Sequence, residues 1–288
     1  MIRETVLAAV VAGLIAALVF TVVQSVWVTP LILQGEVYED AAEAAPHSHV
    51  HEGHIVVADG SSHRNNEPIV GADALDGATH DAGDHHESGT HEAAEHHHDE
   101  GHEAAAGGHH HDENEWKPED GWQRTLFTFG ANLLMGVGYA FVLVALYLLW
   151  HQPRNLLGGA LYGVAGFLVF FVAPALGLPP ELPGTAAAEL SVRQEWWAMT
   201  AAATAIGLFL VFSQNNWGMR ILGIAIVIAP HFVPAPQPAV ESSLAPAELQ
   251  SQFRVATTVA NAAFWLALGV ASAVMFRKLV TTGSRAPA

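Results

Sequence analysis

Histidine is concentrated in one stretch of this 288-residue chain, and histidine side chains are ligands for divalent transition metals. Sixteen of the eighteen histidines lie between positions 47 and 111. Imidazole suits zinc, copper, iron and nickel, and cobalt lies in the same affinity series. The spacing predicts metal binding, and the candidate ligands are His47, His49, His51, His54, His85, His86, His91, His96, His97, His98, His102, His109, His110 and His111.

The same stretch is strongly acidic. Residues 36–120 hold 22 of the 28 acidic residues and two basic ones, Arg64 and Lys117, so that this segment carries about −20. Neighbouring carboxylates raise the local cation concentration and add oxygen ligands. The alternative is a solubilising acidic loop with incidental histidines, but sixteen in 65 residues favour metal binding. A tight metal site also needs residues that hydrogen-bond to the ligands and hold them in place, and nothing in the pattern supplies them. We therefore expect many sites from which the ion exchanges quickly.

The composition of this stretch also bears on its folding. From Ala41 to Asn114 it is mainly Ala, Gly, His, Asp, Glu and Ser, without apolar periodicity. Such a sequence buries too little apolar area to offset the entropy of ordering. We therefore expect a long disordered loop rich in His, Asp and Glu.

Long apolar runs flank this loop on both sides. A helix needs about 20 apolar residues to cross a bilayer. Candidate spans are Val6–Val28, Leu126–Trp150, Leu156–Leu178, Trp196–Phe212, Met219–Val233 and Val255–Phe276, and the fourth and fifth are short. The first could instead be a cleaved signal peptide, but its apolar run is long and no small-x-small site follows. The sequence predicts an all-α integral membrane protein with five to six transmembrane helices and membrane lipid as a partner.

Charge in the short segments predicts the orientation. With a cytoplasmic N-terminus and six spans, the inside segments hold Arg3, Arg154, Arg220, Arg277, Lys278 and Arg285. The positive-inside rule then gives an inner-membrane protein with both termini cytoplasmic and the His-rich loop periplasmic or extracellular. The predicted parts are residues 1–35 (first helix), 36–121 (loop), 122–280 (four to five further helices) and 281–288 (cytoplasmic tail).

A few polar residues in the membrane part could handle the ion. His231 is the one histidine within a predicted span, and the prolines beside it free backbone carbonyls and break the helix. Glu36 and Glu39 follow the first span and Glu181 follows the third, so they could form an acidic vestibule or a solvated face. Asn132 and Asn261 are more typical of helix–helix hydrogen bonds than of metal ligands.

Several function classes find no support in the sequence. The chain has no cysteine, so thiolate sites and cysteine nucleophiles are excluded. It has no Walker A motif and hence no nucleotide-binding site of that kind, no His-Glu-x-x-His, and no Gly-x-Ser-x-Gly. No basic face indicates nucleic-acid binding. We therefore expect a protein that is not an enzyme.

Four motifs resemble one family. They are Leu7-Ala-Ala-Val-Val-Ala-Gly-Leu14 with Trp27-Val-Thr-Pro and Glu36-Val-Tyr-Glu39, Tyr162-Gly-Val-Ala-Gly-Phe167 with Pro174-Ala-Leu-Gly-Leu-Pro-Pro-Glu-Leu-Pro-Gly184, Arg193-Gln-Glu-Trp-Trp197, and Ala229-Pro-His231 with Ala235-Pro-Gln-Pro238. Together they resemble the CbtA family of predicted bacterial cobalt transporter subunits. The resemblance implies five spans, uptake of cobalt for cobalamin synthesis, and a small one-span partner, CbtB.

The chain departs from that family in carrying its own His-rich insertion, since CbtB is usually the histidine-bearing component. The leading interpretation is a subunit for uptake of a divalent metal, with cobalt as the transported ion and nickel or zinc as alternatives. A second is a zinc or nickel efflux or buffering protein. A third is a membrane scaffold without transport activity.

Overall fold

The computed structural model describes residues 2–44, 118–153 and 155–281. The described helices belong to one compact unit. The predictions of disorder and metal binding for the His-rich segment, from His47 to His111, lie outside the described residues. The predicted tail at 281–288 lies outside them as well, apart from its first residue.

Five of the described helices are long and apolar enough to cross a membrane. They are α1 (Ile2–Glu43), α2 (Trp122–Leu149), α3 (Leu156–Ala175), α4 (Leu190–Ser213) and α6 (Ala247–Leu279). The shorter apolar helix α5 (Trp217–Phe232) corresponds to the predicted fifth span. The prediction of an all-α protein with five to six spanning helices is confirmed.

Helix α1 is longer than the sequence predicted. We expected a span over Val6–Val28 and a loop from position 36, but the helix continues through Glu43. Its last two turns are rich in Glu and Ala, which are good helix formers although Glu is too polar to register as a membrane span. At 42 residues α1 exceeds the roughly 20 that cross a bilayer. Glu36 and Glu39 therefore lie on a helix and not in a loop.

The helices run alternately up and down. At one end, Glu36 of α1 meets Arg124 at the start of α2. We call it the proline-loop end, after the proline-rich connections from α3 to α4 and from α5 to α6 that lie there. At the other, the terminal end, Tyr147 near the end of α2 contacts Phe276 near the end of α6. Because the last turn of α6 also packs on α1, the described ends of the first and last helices lie together at the terminal end.

Glycines allow the helices to cross at short distance. An ideal Cβ on Gly136 of α2 would lie 2.7 Å from the carbonyl oxygen of Gly13 in α1. Gly159 of α3 makes a similar close approach, because its Cβ would lie 2.8 Å from the carbonyl oxygen of Gly269 in α6. Small residues of this kind let membrane helices gain van der Waals contact that lipid does not provide.

Helix α5 packs antiparallel against α4. Gly223 of α5 faces Gly207 of α4, where an ideal Cβ would lie 2.7 Å from the opposite carbonyl oxygen. Trp196 lies 17 positions before Ser213, the last residue of α4. Its indole N–H donates to the carbonyl oxygen of Val233 at 3.3 Å, and Val233 directly follows α5. Short as it is, α5 thus returns the chain along α4 to the proline-loop end.

A polar clamp joins α1 and α2 where α1 changes its winding. The buried Asn132 of α2 donates its amide to Thr21 Oγ1 at 3.0 Å and to Gln24 Oε1 at 2.6 Å. Gln24 begins a π-helical turn, Gln24–Val28, inside α1. Turns of this kind are rare and occur mostly as single turns inside α-helices. Asn132 therefore makes the helix–helix hydrogen bonds that its position in the sequence predicted.

Candidate functional site

Two proline-rich loops meet at the proline-loop end and build the candidate site. Residues 176–189 connect α3 to α4, and residues 233–246 connect α5 to α6. Prolines lack the amide hydrogen that a helix requires, so both segments stay irregular. Ala186 N donates to Ser242 O at 2.9 Å and Leu244 N to Gly184 O at 3.2 Å, which pins the loops together. Gly184 has a φ of 72°, a conformation that favours glycine.

The larger cavity beneath these loops is mainly apolar. It has a volume of about 700 Å³ and lies between the first loop, α3, α4 and α6. Phe170 and Trp197 form part of its wall, with their ring centroids 6.2 Å apart. The charged residues of its lining are Glu181 and Arg193. A volume of this size suits a small-molecule site.

Glu181 and Arg193 form an ion pair at the boundary of this cavity. An Arg193 guanidinium nitrogen lies 3.4 Å from Glu181 Oε2, and the two side chains are 30% and 26% exposed. At this distance and exposure the pair is loose, and it leaves the carboxylate able to exchange partners. Glu181 lines a second cavity as well, so it stands between the two.

The second cavity is polar and has a volume of about 340 Å³. Both proline-rich loops and the first turns of α6 line it, and it opens to the surface, where Gln237, Glu241 and Arg254 are exposed. Its lining includes Glu181, Thr185, Gln237, Glu241, Ser242, Ser243, Gln250 and Arg254. We call this space the polar cavity.

Gln250 is the most constrained of these polar side chains. It is 7% exposed, and its Oε1 accepts a hydrogen bond of 3.1 Å from the amide of Leu182. That bond fixes the orientation of the side-chain amide. Among the described residues, its Nε2 has no hydrogen-bond partner. Buried N–H groups in proteins are rarely left unpaired, so this one calls for an explanation.

Glu36, another of the predicted acidic ligands, is paired with a residue of α2. Both guanidinium nitrogens of Arg124 donate to the two carboxylate oxygens of Glu36, a bidentate pair between α1 and α2. Glu39 lies almost one turn further along α1 and is half-buried. The acidic vestibule of Glu36, Glu39 and Glu181 stays a prediction, and Glu36 is engaged in joining two helices.

His231 lies near the same end but outside both cavities. It belongs to the 3-10 turn Ala229–Phe232 that ends α5, and its side chain is exposed. Its ring stands edge-on to Trp196, with the centroids 6.3 Å apart. Neither the apolar nor the polar cavity includes it in its lining. A ligand role for His231 stays a prediction.

No group of three or more His, Asp or Glu residues that could hold a metal ion is found among residues 2–44, 118–153 and 155–281. Asn261 donates to the carbonyl of Thr257 in its own helix at 3.0 Å, so this part of its amide is satisfied locally. Within those ranges, a single ion would therefore meet at most two His, Asp or Glu side chains.

Sequence reasoning missed Gln250 and Arg254 as site residues. Gln250 meets Leu182 across 68 positions of sequence, and no pattern at either residue announces that contact. At the sequence level Arg193 was noted only within a family-like motif and Glu181 as a possible vestibule acid, and nothing predicted that they form a pair. The density of proline around Glu181 was the available signal that irregular backbone would enclose a cavity.

Comparison with known proteins adds one finding to this geometry. A family model described as "Probable cobalt transporter subunit (CbtA)" matches residues 2–277. The match spans all six helices and the site between the proline-rich loops. No curated protein and no solved structure matches the chain.

Proposed function

We propose that this chain, which belongs to the CbtA family of probable cobalt transporter subunits, is the membrane subunit for uptake of cobalt destined for cobalamin synthesis. The observation that carries the proposal is the family match over residues 2–277. It is supported by a His-rich segment of sixteen histidines inserted within that range. The chain supplies metal ligands and a membrane domain, and it acts by transport and not by catalysis.

The His-rich segment collects the ion and the membrane domain passes it on. Imidazoles crowded on one segment raise the ion concentration near the protein, and the carboxylates among them add to that attraction. Glu181 is the first acid of the membrane domain to receive cobalt. Support comes from its place between two cavities and its loose pairing with Arg193.

The orientation follows the positive-inside rule. Both termini are cytoplasmic, and the His-rich segment faces the periplasm or the exterior of a bacterial inner membrane. In support, the described ends of the first and last helices lie at one end of the bundle, and Glu36 and Arg124, which flank the His-rich segment in sequence, pair at the other. The family description as a subunit supports a partner, for which a small one-span CbtB-like protein is our proposal.

Uptake of radiolabelled cobalt tests this function. Cells that express the chain should accumulate more cobalt than cells that lack it, and excess unlabelled cobalt should compete more strongly than nickel or zinc. Lower accumulation in expressing cells would identify an efflux protein. Equal competition by zinc or nickel would show that cobalt is not the preferred ion. No difference in accumulation would contradict transport.

A further inference from the structure

We propose that the polar cavity binds a small carboxylate ligand that also carries a positive centre. A free amino acid has this chemistry through its ammonium group, and a metal ion chelated by an amino acid has it through the metal. The chelate form rests on the proposed function, because it makes a metal–amino acid complex a form in which cobalt reaches the membrane domain. The amino acid form stands without it.

Gln250 supplies the donor for the carboxylate. Its Oε1 is already used by the amide of Leu182, and its buried Nε2 donates to nothing in the described part of the chain. A buried donor without a partner destabilises the protein, because it has lost its hydrogen bonds to water. A carboxylate oxygen is the strongest acceptor for such a donor, because it is ionised. The first 29 residues of α6, Ala247–Met275, are regular α-helix, and Gln250 lies near their amino-terminal end. The amino-terminal end of a helix favours negatively charged groups.

Arg254 reinforces this choice. It lies one turn after Gln250 on the same helix and lines the same cavity. Among the described residues we find no ion pair for its guanidinium. A ligand carboxylate can therefore take one hydrogen bond from Gln250 Nε2 and others from the Arg254 guanidinium. The two residues form one anion-binding wall.

Glu241 and the hydroxyls of two neighbouring serines give the cavity groups that attract a positive charge. Glu241 lines the cavity and no described residue forms an ion pair with it, whereas Glu181 is paired with Arg193. Ser242 and Ser243 add hydroxyl oxygens beside Glu241. This side of the cavity suits a positive centre. A ligand with both charges satisfies both sides, and 340 Å³ accommodates a molecule of amino acid size.

A bare divalent ion fits this cavity poorly. Such an ion seeks several oxygen or nitrogen donors with net negative charge around it. Here it would meet the guanidinium of Arg254 and the N–H donors of Gln250. The lining holds two carboxylates, Glu181 and Glu241, against the guanidinium of Arg254, and Glu181 also pairs loosely with Arg193, so little net negative charge is left for a bare ion.

The test compares Gln250→Glu with Gln252→Glu in the full-length purified chain. Glutamate at 250 keeps an oxygen for the amide of Leu182 but replaces the unpartnered donor with a negative oxygen. Gln252 is exposed, bonds Glu248 at 3.1 Å and lies in neither cavity, so it controls for added charge on the same helix. The probe is radiolabelled L-histidine, measured with a chelator present and then with cobalt.

Gln250→Glu should weaken labelled histidine binding by at least about tenfold, and Gln252→Glu should leave it unchanged. Binding with the chelator present identifies the free amino acid as ligand, and binding only with cobalt identifies the chelate. Equal binding by all three proteins, or no binding by the unmodified chain in either arm, overturns the proposal. Absence of cobalt uptake by cells, with histidine binding retained, would overturn the transport function and leave this assignment standing.

Discussion

His231 shows how far a single residue can be judged from its neighbours in sequence. Its place between Pro230 and Pro234 predicted an open helix end, and α5 does end there in a 3-10 turn. The exposure of the ring and its edge-on contact with Trp196 could not be predicted, because Trp196 lies on another helix. The imidazole is thus accessible to an ion arriving from outside the bundle.

Replacing His231 tests whether that accessibility serves transport. If His231 hands the ion towards Glu181, His231→Asn should abolish cobalt uptake, because asparagine is polar but a poor ligand for this metal. Membrane abundance and metal binding by the His-rich segment should be unchanged. His151→Asn is the matched control, since His151 lies in the connection between α2 and α3 at the terminal end. Normal uptake by His231→Asn would make the residue a structural part of the helix end.

Asn132 is a residue whose role is carried by hydrogen bonds between helices. Asn132→Leu removes both bonds to α1, at Thr21 and Gln24, and should destabilise the protein by about 1–2 kcal/mol. Asn261→Leu is the control, because the one hydrogen bond found for Asn261 stays within its own helix. Unfolding of the purified protein in mixed micelles measures the difference. Equal stability of the two variants would contradict the clamp.

At the scale of the helix, hydropathy predicted most of the fold because each spanning helix carries its own signal in sequence. The extension of α1 to Glu43 was missed because helix propensity continued where hydropathy stopped. The cavities were beyond prediction for a different reason. They depend on two loops whose paired residues, Ala186 and Ser242, lie 56 positions apart in sequence.

Helix crossings give a prediction whose sign differs between neighbouring glycines. Gly136→Ala should destabilise the protein by about 1–3 kcal/mol, because its Cβ would lie 2.7 Å from the carbonyl oxygen of Gly13. An ideal Cβ on Gly138 of the same helix would meet no other described part of the chain within 4 Å, so Gly138→Ala should be neutral or slightly stabilising. Thermal unfolding of the purified variants measures both. Similar melting temperatures would show that α1 can move away from α2 without loss.

At the scale of the whole molecule, the His-rich segment differs from the membrane domain in charge and composition. Metal binding to imidazole requires the neutral ring, whose pKa in an unperturbed histidine is about 6.5. The full chain should therefore bind several divalent ions at pH 7.5 and lose most of them by pH 5. Calorimetry with cobalt measures this, with a variant carrying glutamine at the sixteen tract histidines as control. Unchanged affinity at pH 5 would make carboxylates the main ligands.

Deleting residues 47–111 separates collection from passage. A collector raises the ion concentration near the membrane domain without forming the path through it. The deletion should therefore slow cobalt uptake several-fold when cobalt is scarce and leave it near normal when cobalt is saturating. The Glu36–Arg124 pair lies outside the deleted segment and still joins α1 to α2.

The matched control replaces the same residues with a flexible Gly/Ser segment of equal length, which keeps the connection but removes the ligands. Both variants should show the same loss at low cobalt, because the missing feature is imidazole and not chain length. Loss of uptake at saturating cobalt in both would instead make the histidines part of the path.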